Sequence, residues 1–382
     1  MKICAIICEY NPFHKGHAYL IERAKALSGA DAVLCVMSGN FVQRGDAAVL
    51  DKFTRAKHAV WGGADAVIEL PVPFATANAE LFAKGAIKLL SSIPEVEFLC
   101  FGVESTTEAE LLRAATLMND EPLAVSEKLR ALMATGLSYA KARAEAWKGI
   151  LPNGILNTPN NVLAVEYARA VLAYHANVRL LPVKRVGGGY LDDELCGELS
   201  SATAIRNAVR SGVPATESLP PFVDTKEFFD LEARLNAVKN YAVLNKTTAQ
   251  IAEVLDCSEG LENALKKAVL RGENNVATAL TSTRYTRSRI NRILLQNALN
   301  VTKKDVFEYL SAPLYLRLLG VKKESEEVLS ALGNAAYPLL ARPRDESVLK
   351  REAKRCFETD KFAEMLYAIL TEKSEKKIEL FI

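Results

Sequence analysis

Four apolar runs of strand length, spaced with helical stretches between them, constrain this chain more than any other feature. They are "KICAIIC" (2–8), "DAVLCVM" (31–37), "ADAVIEL" (64–70) and "VEFLCFGV" (96–103). Runs that are apolar throughout, rather than alternating, are expected of strands covered on both faces. "AYLIERAKAL" (18–27) sets Leu20, Ala24 and Leu27 at helical spacing. "DKFTRAKHAVWGG" (51–63) reads as a helix ending on glycine, and "AELFAKGAIKLLSS" (79–92) as a third helix. Repeated β-α-β units predict a parallel sheet with right-handed crossovers.

The pattern then turns helical, with helices expected over 107–117, 125–148 and 159–176. "VRLLPVKRV" (178–186) returns to a strand, and "SSATAIRNAVRSG" (200–212) reads as a helix capped by Ser200 or Ser201 and closed by Gly212. "VPATESLPPFVD" (213–224) is rich in proline and serine and marks the expected domain boundary. The fold class is thus α/β: a parallel-sheet domain over 1–215, then a mostly α-helical domain over 225–382. No convincing strand is expected after 225 until the last residues, "KKIELFI".

With 382 residues and 49% hydrophobic content, the chain can bury one large or two ordinary cores. A net charge of +2 selects no class of partner, so any nucleic-acid surface must be a local patch. "MKICAIICEY" breaks at Glu9 and lacks a small-residue cleavage site, which favours a strand over a signal peptide. No uncharged run reaches the ~18 residues a membrane span needs. Seven scattered cysteines without a CxxC pair argue against a disulfide framework or zinc ribbon. A cytoplasmic protein with buried thiols is the expectation.

"EYNPFHKGH" (9–17) holds two of the four histidines, directly after the first strand. In an open parallel sheet, ligands bind beyond the carboxyl ends of the strands. A helix start offers free N–H groups to phosphate, and Gly16 lets a phosphate approach the backbone. His14 and His17 lie one turn apart and can stabilise charge on a phosphate under attack. A metal site needs a third and usually a fourth ligand, and His58 and His175 are isolated in the sequence. A pair of helix-start histidines with a packing role is the bland alternative.

H-x-G-H after a first strand resembles the signature of the nucleotidyltransferase superfamily, whose fold is a Rossmann-like (HUP-type) parallel sheet. "SSATAIR" (200–206) looks like its I-S-S-T-x-I-R motif, with Ala202 inserted. Hydroxyls at a helix start and an arginine one turn in also make a polyphosphate clamp on physical grounds alone. "MSGNFVQRGDAAVLDKFTRAKHAVWGGADAVIELP" (37–71), "TPNNVLAVEY" (158–167) and "TSTRYTRSRINRILL" (281–295) are similar to the tRNA(Met) cytidine acetate ligase family. The resemblance spans nearly the whole chain. It implies activation of acetate by ATP as acetyl-adenylate, and transfer of the acetyl group to N4 of the wobble cytidine of elongator tRNA(Met).

By that resemblance the ATP site comprises Ile7, Glu9, Tyr10, Asn11, Pro12, Phe13, His14, Gly16, His17 and Leu20 of the first loop and helix. Gly102, Asn161 and Arg185 join them, and Ser201, Thr203 and Arg206 hold the β- and γ-phosphates. His14 and His17 take the catalytic role, and polyphosphate charge calls for a magnesium ion. "SGNFVQRGD" (38–46) borders the same cleft, so Asn40, Gln43, Arg44 and Asp46 are candidates for acetate or cytosine; a carboxylate can accept from cytosine N4. Lys52 and Arg55 are candidates for tRNA phosphates or are solvated. Arg284, Arg287 and Arg289, with Arg292 and Tyr285, form the densest basic cluster, with no acidic residue between 274 and 304. Arginine suits phosphate and tyrosine stacks on unpaired bases, so tRNA is the expected partner there. Two positions depart from the family pattern: Leu191, where a histidine is expected, and Thr283, where lysine is common. The rivals are a small-metabolite adenylyl- or cytidylyltransferase and a tRNA-binding protein without catalysis. The oligomeric state stays open.

Overall fold

The structure, a computed structural model, describes residues 1–152, 154–185, 194–373 and 380–382. The four N-terminal runs form β1 (Ile3–Cys8), β2 (Ala32–Ser38), β3 (Ala66–Leu70) and β4 (Val96–Val103), and the fifth forms β5 (Arg179–Lys184). Between them lie α1 (Lys15–Ser28), α2 (Lys52–Trp61), the short α3 (Val72–Ala75) and α4 (Ala79–Leu90). After β4 come α5 (Glu108–Asn119), α6 (Leu123–Ala134), α7 (Tyr139–Ala146) and α8 (Pro159–Ala173). The expected helix over 125–148 is two helices. Gly136 takes φ +92°, a conformation open to glycine, and Ser138 then caps α7 by accepting from Lys141 N–H.

α9 (Ala202–Arg210) follows β5, with Ser201 as its cap. The second half holds α10 (Glu232–Asn245), α11 (Thr248–Ala252), α12 (Leu261–Leu270), α13 (Val276–Ala279), α14 (Arg287–Ala298) and α15 (Lys303–Ser311). It also contributes β6 (Leu316–Val321), α16 (Glu326–Gly333), β7 (Leu339–Leu340) and α17 (Arg351–Thr371).

One sheet runs β5-β4-β1-β2-β3-β6-β7. The first five strands are parallel to their neighbours, whereas β6 lies antiparallel on β3. A strand-free second half is therefore overturned. The run around 316–321 is short and apolar, a pattern shared by buried strands and buried helix segments, and its partner is remote in sequence. Of the C-terminal run, the described residues 380–382 also reach this edge: Val321 N–H donates to the Leu380 carbonyl at 2.7 Å, and Ile382 N–H donates back to the Val321 carbonyl at 2.9 Å.

Alternation along the strands splits the core in two. Ile3, Ala5, Leu34, Val36 and Ile68 face α4 and α8, while Cys4, Ile6, Cys35 and Val67 face α1 and α2. Each fully buried aliphatic side chain contributes about 1.5–3 kcal/mol. A smaller core, built on Val243, Leu265, Ile290 and Ile293, holds α10 to α14 together.

The strand order turns at β1. Successive strands β2 and β3 lie on one side of it and β4 and β5 on the other. The crevice beyond the carboxyl ends of β1 and β4 is the switch point where such sheets bind ligands. A buried ionic network joins α17 and β6 to this sheet: Lys52 pairs with Glu69 at 2.7 Å, and Arg317 with Glu69 at 3.3 Å and Glu364 at 2.8 Å.

Candidate active site

At the switch point lies a cleft of about 870 Å³, within the range of small-molecule sites. Its floor is the loop after β1. Ile7, Glu9, Tyr10 and Asn11 line it, followed by His14, Gly16, His17 and Leu20 at the start of α1. Pro12 and Phe13, expected here, do not. Phe13 is wholly buried and packs edge-on to Tyr10, so its role is to shape the loop from below.

His14 caps α1. Gly16 N–H donates to its Nδ1 at 3.1 Å, and His14 N–H donates to Nδ1 of His17 at 3.3 Å. The two rings stack with centroids 3.6 Å apart. The two rings thus cap the helix and line the cleft at once. Because both Nδ1 atoms accept, the neutral rings carry their protons on Nε2. Two Nε2–H donors result.

Burial, then the Arg185 and Arg206 charges, lowers the His14 pKa to about 3. Burial and the neighbouring His14 push His17 well down too. His14 is depressed in the fold relative to the unfolded chain, so unfolded chains take up the proton first. Its stabilising contribution is complete above about pH 6.5 and is lost as pH falls toward about 3. Within that window stability should fall by about 1.4 kcal/mol per pH unit for this one group. Ring resonances of His14 should stay flat between pH 8 and 5 in NMR titration. A midpoint above pH 6 would contradict the assignment.

The walls are basic. Arg44, Lys184, Arg185, Arg206, Arg210 and Arg287 line the cleft, against the carboxylates of Glu9, Asp46 and Glu232. Arg206 donates to the Asn11 carbonyl and, at 3.2 Å, to Thr203 Oγ1, which ties α9 to the histidine loop. Thr203 and Ser201 line the cleft with it, Ser201 while accepting from Ala204 N–H at 3.0 Å. Gly102, next to last in β4, also lines it. A Cβ there would come within 3.3 Å of the Arg185 side chain. Arg185 closes β5, and its N–H donates to the Val103 carbonyl at 2.9 Å.

Asn207 and Arg210 complete the same face of α9 and were missed in the sequence. Their spacing from Thr203, at i+4 and i+7, was the available signal.

Some expected residues lie elsewhere. Asn161 is buried, and its Oδ1 accepts from Glu104 N–H at 3.0 Å, so it braces the end of β4; its neighbour Asn160 lines the cleft. Of the 38–46 stretch, Gln43, Arg44 and Asp46 reach the cleft, whereas Asn40 is buried and accepts from Lys52 N–H at 2.8 Å. Gln43 N–H donates to Glu9 Oε1 at 2.7 Å. Burial raises the Glu9 pKa, opposed by that N–H and by Arg206, Arg44 and Arg55.

Lys52 and Arg55 are corrected outright. They are 1% and 0% exposed, and neither offers its charge to a tRNA phosphate. Amphipathic spacing alone did not reveal that this helix is covered on both sides. The arginine cluster is also less free than its sequence implies. Arg284 pairs with Glu259 at 3.0 Å, Arg287 with Glu232 at 2.9 Å and Arg292 with Asp256 at 3.3 Å. Arg289 donates to the Asp256 carbonyl and to Ser258 Oγ, both at 2.9 Å. The acidic partners come from other segments, which a window over 274–304 does not contain. Of the cluster, Arg287 reaches the cleft; the guanidiniums of Arg284 and Arg289 lie 5.7 and 5.4 Å from the Tyr285 ring. Leu191 and the glycines at 187–189 lie outside the described residues.

Among the described residues no group of three or more His, Cys, Asp or Glu side chains fits a metal ion. No described helix is long and apolar enough to cross a membrane.

The family described as HIGH Nucleotidyl Transferase matches residues 1–380. A protein of Thermoanaerobacter sp. (strain X514) named tRNA(Met) cytidine acetate ligase is 35% identical over 98% of this chain and 96% of its own. Its namesake from Acetivibrio thermocellus is 34% identical over 92% of each chain. Among solved structures, Thermotoga maritima TmcAL in its apo form superposes with a TM-score of 0.88 at 29% identity, over 97% of this chain and 95% of that one. The same protein bound with alpha-thio ATP gives 0.84 at 30% identity, with the same coverage.

Proposed function

This chain belongs to the tRNA(Met) cytidine acetate ligase family of HIGH nucleotidyl transferases, an enzyme family of ligases, and from that premise we propose that it joins acetate to N4 of the wobble cytidine of elongator tRNA(Met) at the expense of ATP. An acetate oxygen attacks the α-phosphorus of ATP. The bond from that phosphorus to the bridging oxygen breaks, and pyrophosphate leaves with the electron pair. The cytidine N4 then attacks the acetyl carbonyl, AMP departs, and one proton is lost from nitrogen.

The observation that carries this reading is a pair of imidazoles that line a basic cleft and whose Nδ1 atoms accept from backbone N–H groups, which leaves Nε2–H as the donor of each neutral ring. Such fixed donors stabilise charge that grows during phosphoryl transfer without first reorganising. In this reading His14 and His17 meet the reacting phosphate, and Thr203, Arg206 and Arg210 hold the leaving pyrophosphate. Ile7, Tyr10, Gly102 and Arg185 flank the nucleotide. Among the described residues none form a cage for a metal ion, so magnesium would be brought in by the triphosphate. On the tRNA side, the exposed pairs Arg287–Glu232 and Arg284–Glu259 contribute little to stability and can exchange for phosphates, with Tyr285 placed to stack on a base.

The protein is expected to label bulk tRNA from ATP and labelled acetate, with the label recovered as N4-acetylcytidine on nucleoside analysis. Without tRNA, acetate should drive exchange of labelled pyrophosphate into ATP. Exchange that needs a phosphorylated metabolite instead would transfer the assignment to a small-molecule adenylyl- or cytidylyltransferase. Tight tRNA binding with neither reaction would leave a binding protein.

A further inference from the structure

The loop Gln43–Asp46 is held in place by the second half of the chain. Lys239, on α10, is 1% exposed. Its Nζ donates to the Gly45 carbonyl at 2.7 Å and to Asn291 Oδ1 at 2.5 Å. Asn291, on α14, turns its Nδ2 to the same loop, donating to the Arg44 carbonyl at 2.9 Å and to Asp46 Oδ1 at 2.6 Å. Gly45 takes φ +78°, and a Cβ there would lie 2.6 Å from the α14 backbone at Asn291 and Arg292. The loop is therefore pressed flat on α14 where a side chain has no room. Its other end meets the histidine motif, through the Gln43 N–H bond to Glu9.

A buried ammonium held by two neutral acceptors is a costly arrangement. Burial brings the Lys239 pKa down to about 8, although Asp46 and Glu232 oppose the shift from farther off. An apolar side chain of similar length would fill the same space but leave the Gly45 carbonyl and Asn291 Oδ1 without a donor. What the ammonium adds is direction: it fixes one carbonyl of the loop and the orientation of the Asn291 amide, and that amide fixes two more loop acceptors.

We propose that Lys239 and Asn291 are positioning residues for the reaction, which set the Gln43–Asp46 loop over the cleft from the helical half and so make the cleft's geometry depend on α10 and α14. This rests on the acetate-ligase reading above. α14 opens with Arg287, which lines the same cleft, so one helix carries both a proposed tRNA contact and the brace of the loop.

The test uses the full-length variants K239M, K239R, N291A and K239M/N291A in steady-state acetylation of tRNA, with thermal melting in parallel. K239M removes a buried charge but strands the Gly45 carbonyl and Asn291 Oδ1, so it should fold with a melting temperature a few degrees below that of the parent. K239M and N291A should each lower kcat about 10–100-fold, as expected when a reacting group is displaced by ~1 Å. KM for ATP should change less than threefold, because the proposed phosphate contacts sit on α1 and α9. The double variant should be no slower than the slower single one, since both residues act on one loop. K239R should restore most of the rate. A kcat within twofold of the parent in K239M and N291A, multiplying losses in the double variant, or a loss of rate accounted for by the fraction of each variant unfolded at the assay temperature would each overturn the proposal. An inactive parent enzyme would instead refute the ligase reading, so the two failures are separable.

Discussion

His14→Ala is expected to lower the rate of N4-acetylcytidine formation by roughly 10²–10³-fold, the usual effect of deleting one fixed donor at a centre of developing charge. Alanine also removes the cap of α1, which by itself costs about 0.5–2 kcal/mol. His14→Asn separates the two effects. Asparagine is a strong helix cap, but its amide is too short to reproduce the outward Nε2–H. The asparagine variant should melt close to the parent and still be slow. Rates within threefold of the parent in both variants would remove His14 from the chemistry and leave it a capping residue. The single-turnover rate of pyrophosphate release is the informative readout, because it precedes tRNA.

Arg55→Ala should act in the opposite manner, on stability before chemistry. The guanidinium is fully buried and donates to the carbonyls of Leu50, Glu9, Ser38 and Gly39. It ties the ends of β1 and β2 to the start of α2. Losing it strands several buried acceptors, and the cost should be about 3–5 kcal/mol. The melting temperature should drop on the order of 10 °C, followed by loss of ATP binding as the loop after β1 loosens. An unchanged melting temperature together with weaker tRNA binding would restore the phosphate contact that the sequence had suggested.

The N-terminal sheet was legible because its strands are continuous apolar runs and its ligand edge is fixed by chain direction. Chain direction placed His14, Gly16 and His17 at the cleft; Gly102, Arg185, Thr203 and Arg206 were reached through the family resemblance, and they line the same cleft. Three kinds of residue were not legible. Lys52 and Arg55 have the composition of a wet helix face, but the ends of β1 and β2 take up the Arg55 guanidinium and Glu69 of β3 takes up the Lys52 ammonium. Asn161 and Asn40 have the right chemistry near the right place, but their amides serve neighbouring backbone. Lys239 carries no local pattern at all. Its meaning depends on Gly45, a residue roughly 200 positions away.

The antiparallel pairing of β6 on β3 also has a consequence for biosynthesis. The two strands are separated by roughly 250 residues, which a ribosome adds in on the order of 10–50 s. For that time β3 presents an open edge, fully apolar but for Glu69, and such edges recruit other strands. Glu69 sits on this edge as a charge that finds Arg317 only when β6 arrives. Until then Glu69 has Lys52 of α2 as its partner, and an ion pair left open on one side opposes burial against another chain, so the ionic network of the finished fold is also a guard for the unfinished one.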